Sequence, residues 1–120
     1  MTQLILQAVV RALDDKKGED IEIIHVEDVN PFAQYYVLCT ADNSRRLNAL
    51  KEASIEAIEK LGKGIHHFEG KSKSEWILID AYDIVIHIFS PDERERLDFD
   101  ELFAHQKRIP VEPVLLIEKK

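Results

Sequence analysis

The fold of this chain is decided by residues 76–89, WILIDAYDIVIHIF. Apolar and mostly β-branched residues fill both ends of this stretch, and the tetrapeptide DAYD separates them. The pattern therefore predicts a β-hairpin with strands at 76–79 and 84–89. Successive side chains of a strand point to opposite faces of the sheet. Because Ile84 and Val85 begin two interleaved series of mainly apolar residues, the hairpin is expected to present apolar side chains on both faces.

Three further strands and two long helices are predicted around the hairpin. The strands are expected at 21–26, 35–40 and 65–68, and the helices at 3–14 and 44–61. The helical segments repeat apolar residues at the spacing of one helix face, whereas the strand segments are rich in β-branched and aromatic residues. Short helical turns are expected from Pro91 and from Asp98. This order of elements predicts an α/β or α+β domain with a single mixed sheet of five strands.

The domain is expected to span residues 1–105. Residues 106–120 contain Pro110 and Pro113, which are poorly compatible with a continuing helix or a central strand, so this segment is expected to be an extended C-terminal tail.

Two long helices are too few to cover both faces of a five-stranded sheet, and we expect both to lie on the same face. The other face is then partly apolar and uncovered. An exposed apolar patch on a small protein usually marks a partner site, and a second copy of the chain is one expected occupant, as a two-fold homodimer.

Trp76, the single tryptophan, is the strongest candidate for a contact on that face, because tryptophan is enriched at interface hot spots. Its expected position is partly exposed and next to the hairpin turn, where carboxylates suit a basic partner. The alternatives are that Trp76 belongs to the core and that the two aspartates only form the turn. The candidate partner-binding residues are Trp76, Leu78, Asp80, Tyr82, Asp83 and His87.

Composition limits the possible functions. The 120 residues carry 16 basic and 23 acidic side chains, a net charge of −7, which disfavours non-specific binding to nucleic acid. The single cysteine excludes an internal disulfide. The apolar runs are too short for a transmembrane helix, and the N-terminus lacks the pattern of a signal peptide. Together these features favour a cytoplasmic protein.

Candidate chemistry is sparse, and no catalytic residue, metal site or cofactor is predicted. His66 and His67 are adjacent on a strand and point to opposite faces, and His87 is expected to be a half-buried sheet histidine with one nitrogen hydrogen-bonded. Cys39 is expected to be a buried, inert thiol. Arg45 and Arg46 either contact phosphate groups of RNA or form a solvated helix face; the sequence leaves both open.

The chain resembles the ribosomal silencing factor family, also called the Iojap-like family, over about residues 3–103. The resemblance is carried by an ordered set of short segments. They are DKKGEDI (15–21), YYVLCT (35–40) with Ser44-Arg45, EG (69–70), WILID (76–80), DIVIHIF (83–89), Pro91, Arg94 and DFDELF (98–103). Each segment alone has little specificity, but their order and spacing together are specific.

This resemblance implies a non-enzymatic factor with a nucleotidyltransferase-like fold. Such proteins bind the large ribosomal subunit through a protein of its intersubunit face, the fourteenth in the large-subunit series, and sterically block joining of the small subunit, which represses translation. The alternatives are a large-subunit assembly factor and a metal-dependent nucleotidyltransferase. The second is disfavoured because residues 40–44 lack the phosphate-binding glycine, and neither Asp80 nor Asp83 has an acidic partner two residues later.

Overall fold

The computed structural model describes residues 2–70 and 75–116. Its strands are β1 (Glu19–His25), β2 (Tyr35–Thr40), β3 (His67–Glu69), β4 (Trp76–Ala81), β5 (Ile84–Phe89) and β6 (Arg108–Ile109). Its helices are α1 (Thr2–Asp15), α2 (Ser44–Lys60), α3 (Pro91–Leu97), α4 (Phe99–Leu102) and α5 (Val111–Leu116). Within these described ranges, no helix has the length and apolar character needed to cross a membrane.

The strands form one mixed sheet in the order β3-β4-β5-β2-β1-β6. Strands β2 and β5 run parallel at its centre, and every other neighbouring pair is antiparallel. The predicted single mixed sheet is confirmed. It has six strands where five were predicted, because the two-residue strand β6 pairs with β1.

Helices α1 and α2 pack on the same sheet face, as predicted. Their apolar stripes meet the inward side chains of the hairpin, and the core they enclose includes Leu6, Val10, Leu50, Ile58, Ile77, Ile79, Ile86 and Ile88. Helix α2 begins where the Asn43 side chain accepts a hydrogen bond of 2.8 Å from the backbone N–H of Arg46, which satisfies one of the unpaired donors of the first turn.

The opposite face is less open than the sequence predicted. Asp98 adopts a left-handed conformation, with φ of 50°, and ends α3 while capping α4. This sharp turn folds α4 back over the sheet, where Phe99 is only 8% exposed and packs against Phe89. Arg94 holds α3 in place by donating to the Thr40 hydroxyl at 2.7 Å and to the Asp20 carbonyl at 2.6 Å.

The expected extended tail over 106–120 is also partly structured. Strand β6 pairs with β1, and α5 packs against α1, where Arg11 donates to the Leu115 carbonyl at 3.3 Å. Pro113 is tolerated because it lies in the first turn of α5, where backbone N–H groups have no helical acceptor. Residues 117–120 lie outside the described part of the chain.

A close backbone approach makes Gly18 a test of this packing. A Cβ atom there would lie 2.3 Å from the Cys39 Sγ, a clash inside the core. We expect Gly18→Ala to lower the free energy of unfolding by ~1–3 kcal/mol, as overpacking does. The matched control is Gly64→Ala, because a Cβ at Gly64 meets nothing within 4 Å.

Denaturant unfolding of the two variants measures the difference. In a Cys39→Ala background the Sγ is absent, so Gly18→Ala is expected to cost less than in the wild-type chain. Equal stability of the Gly18→Ala and Gly64→Ala variants would contradict this packing.

Candidate functional site

The sheet face opposite α1 and α2 carries a half-open strip of side chains. Along β4, residues Ile77, Ile79 and Ala81 are buried in the core, and the alternate residues Trp76, Leu78 and Asp80 are half-buried on this face. Their neighbours there are Val85 of β5 and Tyr36 of β2, which are also half-buried and are paired in register. We call these five residues, Trp76, Leu78, Asp80, Val85 and Tyr36, the docking face.

Trp76 rests on His87. The indole Nε1 donates a hydrogen bond of 3.2 Å to the imidazole Nδ1, and the two rings stack with centroids 5.9 Å apart and planes at 26°. His87 is only 3% exposed, so it is buried rather than half-buried as predicted. The predicted hydrogen bond on one ring nitrogen is confirmed. His87 therefore lies beneath the surface of this face, directly under Trp76.

Aromatic rings enclose the His87 imidazole. Tyr36, Phe89 and Phe99 have ring centroids 4.7, 6.3 and 5.0 Å from it. Burial in this apolar surrounding lowers the pKa of His87 to about 3, so the ring is neutral at physiological pH. An indole N–H only donates, so the Nδ1 that accepts from it carries no proton, and we assign the proton of the neutral ring to Nε2.

The hairpin turn lies at the other end of β4. The Asp80 carboxylate accepts from the backbone N–H of Tyr82 at 3.0 Å, and Asp83 accepts from the Thr2 hydroxyl at 3.0 Å. Both aspartates therefore have structural roles in or beside the turn. Tyr82 is 58% exposed and adopts a positive φ of 68°.

The predicted proximity of Trp76 to Tyr82 is wrong. Trp76 is the first residue of β4 and Tyr82 follows its last residue, Ala81, so the whole length of β4 separates the indole from the turn. At ~3.3 Å per residue this distance is about 20 Å. Trp76 and Tyr82 thus lie at opposite ends of one strand, with Leu78 and Asp80 between them.

Arg45 and Arg46 are exposed in the first turn of α2. That helix follows the end of β2, and Thr40 at this end is in register with Phe89, which in turn is opposite Trp76. The two arginines are therefore at the same end of the sheet as Trp76, although α2 covers the opposite face.

In the part of the chain that the structure describes, the cysteine and the exposed histidine considered as candidates show no sign of a reactive or metal-binding site. Cys39 is buried, as predicted, and burial raises the pKa of its thiol to about 12, far from that of a reactive thiolate. His67 is exposed and lies 2.8 Å from the Glu69 carboxylate. Across residues 2–70 and 75–116, no three His, Cys, Asp or Glu side chains are grouped so as to hold a metal ion.

Phe99 and Phe103 also belong to this face, although neither was predicted as a site residue. Their rings are in edge-to-face contact with centroids 5.5 Å apart, and the ring centroids of Phe103 and Tyr36 are 5.4 Å apart. Their spacing of four residues, which places two side chains on one side of a helical turn, was the available signal.

Fold and face together define a single-sheet α/β domain with an aromatic face that its own helices leave half open. The family model described as "Ribosomal silencing factor during starvation" matches residues 2–120, so the chain belongs to the ribosomal silencing factor family. This match confirms the resemblance noted in the sequence.

Relatives and solved structures agree with this assignment. A ribosomal silencing factor of Chromobacterium violaceum is 31% identical over 105 residues, 88% of this chain and 86% of the relative. One of Halalkalibacterium halodurans is 27% identical over 113 residues, 94% and 97% of the two chains. A crystal structure of a Chromobacterium violaceum protein matches with a TM-score of 0.82 and 31% identity, covering 89% of each chain.

His87 makes stability depend on pH. The pKa of a histidine is near 6.5 when unfolded and about 3 in the folded protein, so the unfolded state binds the extra proton between these values, and stability is lost as the pH falls. From this residue alone we expect the free energy of unfolding to be about 2 kcal/mol lower at pH 5 than at pH 7. Denaturant unfolding of the wild-type and His87→Phe proteins at both pH values isolates this contribution, and identical pH dependence of the two would contradict it.

Proposed function

We propose that this protein binds the large ribosomal subunit through its docking face and sterically prevents the small subunit from joining, which represses translation. The proposed partner is a protein of the intersubunit face, the fourteenth in the large-subunit series. On this proposal the protein is not an enzyme, because occupying the site is the whole mechanism. Membership of the ribosomal silencing factor family supports the proposal.

The observation that carries the proposal is the half-buried pair Trp76 and Leu78 on a sheet face that α4 covers only in part. Tryptophan is enriched at interface hot spots, and Trp76 is held in place on this face by the buried His87. Acidic side chains flank the pair, because Asp80 follows Leu78 on the same face and Glu69 of β3 lies opposite Leu78. The whole chain carries a net charge of −7, and these flanking carboxylates complement a basic ribosomal protein.

Further partners follow from the same placement. We propose that Arg45 and Arg46 lie near ribosomal RNA when the docking face is occupied, since they are exposed at the Trp76 end of the sheet. A second copy of the chain is the proposed occupant of the docking face when no ribosome is bound, so a homodimer and the ribosomal complex would compete. The proposed location is the cytoplasm, where bacterial ribosomes act.

Replacing the indole tests the docking face. We expect Trp76→Ala to weaken binding to purified bacterial large subunits about thirtyfold, because losing an aromatic hot spot costs ~2 kcal/mol and 1.4 kcal/mol is tenfold. The variant should also fail to inhibit subunit joining in a sucrose-gradient assay. Phe68→Ala is the matched control, since Phe68 is 49% exposed on the opposite sheet face, where Lys51 lies over its ring.

Thermal melting must accompany these measurements, because Trp76 is half-buried. A folded Trp76→Ala variant that binds with wild-type affinity would contradict the proposal, as would an equal loss in Phe68→Ala. Normal binding to finished subunits combined with accumulation of immature large subunits in depleted cells would instead favour an assembly role.

The charge of Asp80 is a separate test. Asp80→Asn keeps the side-chain oxygen that accepts from the Tyr82 N–H, so the turn is preserved while the charge is lost. We expect a slower association rate with large subunits at low salt, and a stronger effect in Asp80→Lys, with both differences shrinking as salt screens the charges. Stopped-flow binding at several salt concentrations measures this, and a salt-independent loss would show that the turn, not the charge, matters.

A further inference from the structure

The buried imidazole of His87 lies directly under the proposed contact residue. His87 is opposite Leu78 in the register of β4 and β5, and its Nδ1 accepts the hydrogen bond of the Trp76 indole. Among the described residues, its other nitrogen, Nε2, is buried without a hydrogen-bond partner. A buried polar atom without a partner is costly, so a side chain chosen only to fill this space would be apolar.

The surroundings fix the direction in which Nδ1 points. Tyr36 lies against the imidazole with its ring plane tilted by 58°, and Phe99 meets it nearly at right angles, at 76°. Buried side chains in such packing hold one rotamer. The lone pair of Nδ1 is therefore a stationary acceptor at the base of the docking face.

A fixed hydrogen-bond acceptor restricts the orientation of the Trp76 side chain. It is half-buried, and stacking alone is compatible with more than one rotation of an indole, because the two flat faces of the ring are equivalent for packing. A hydrogen bond to the indole N–H distinguishes these rotations, since only one of them directs the N–H toward Nδ1. Burial keeps the imidazole neutral, which preserves the acceptor across the physiological pH range.

We propose that His87 is a positioning residue that fixes the orientation of the Trp76 indole through the Nε1–H to Nδ1 hydrogen bond and thereby prepares the docking face for its ribosomal partner. This inference rests on the proposed function of the docking face. Its energetic benefit is preorganisation, because an indole already ordered in the free protein loses less conformational entropy on binding.

Two variants separate positioning from packing. His87→Phe keeps an aromatic ring in the aromatic enclosure but removes the acceptor. His87→Asn keeps an acceptor, because its Oδ1 takes the place of Nδ1, but leaves unfilled space. A packing role predicts that Phe replaces His87 better than Asn does in every measurement. A positioning role predicts that Phe gives the more stable protein and Asn the better binder.

Trp76 is the single tryptophan, so the one indole N–H resonance of the protein belongs to it. In His87→Phe we expect the indole N–H resonance in a ¹H–¹⁵N spectrum to shift, and its proton to exchange with solvent about fivefold faster, as loss of one hydrogen bond implies. In His87→Asn we expect slow exchange to be retained. The control is Ser54→Ala, which removes a buried hydrogen bond of 2.9 Å to the Leu50 carbonyl within α2 and should leave the indole signal unchanged.

Binding to purified bacterial large subunits completes the test. We expect His87→Phe to weaken affinity ~3- to 10-fold, equivalent to about 0.7–1.4 kcal/mol at 1.4 kcal/mol per tenfold. In a Trp76→Phe background there is no indole N–H to orient, so adding His87→Phe should cause no further loss. This non-additivity is the signature of one residue acting through the other.

Several results would overturn the inference. One is additive losses in the double variant, and another is weakened binding with an unchanged indole signal. Wild-type affinity of His87→Phe alongside a large loss in Trp76→Ala would remove the positioning role and leave the docking face intact. Wild-type affinity of both variants would remove the docking face and the positioning role together.

Discussion

The parallel pairing of β2 with β5 at the centre of the sheet is the constraint on which the remaining structure depends. Every residue of Tyr35–Thr40 has a partner in Ile84–Phe89, and nearly all these side chains are buried. Parallel neighbours cannot be joined by a tight turn, so the chain between them must cross a sheet face. It does so through α2 and then adds β3 and β4 at the edge. This crossover places α2 on one face of the sheet. The opposite face is covered in part by the short helix α4, which follows β5.

Strand alternation then links the core to the docking face. Along β4, Ile77 and Ile79 belong to the core under the long helices, and the residues between them face the opposite side. A slip of one residue in the register of β4 would exchange these two sets. The extensive apolar burial of one side thus determines which side chains the other side presents. The position of Trp76 is in this sense a consequence of core packing elsewhere in the same strand.

Much of this architecture was predictable, because the repeat of apolar residues in a long segment indicates both its secondary structure and its buried face. The hairpin and the two long helices followed from alternation and helical spacing, and the common face of the helices followed from their small number. The missed features depend on single residues or very short segments. The positive φ of Asp98, which turns α4 back over the sheet, has no periodic signal, and the two residues of β6 are too few to show alternation. At the site, the separation of Trp76 from Tyr82 follows from strand geometry alone, because Trp76 begins β4 and Tyr82 follows its last residue.

A partner surface must satisfy opposing requirements in the free protein, and if the proposed docking face is one, the arrangement around His87 meets both. An exposed tryptophan provides a large contact area, but ordering a free side chain on binding costs ~0.5–1.5 kcal/mol. Burying the ring completely would remove that cost together with the contact. Here Phe99 packs against the imidazole, so the hydrogen-bond acceptor is buried, while the indole above it stays half-buried. The partial cover by α4 therefore supports the open part of the face, because Phe99 packs against the imidazole to which Trp76 is hydrogen-bonded.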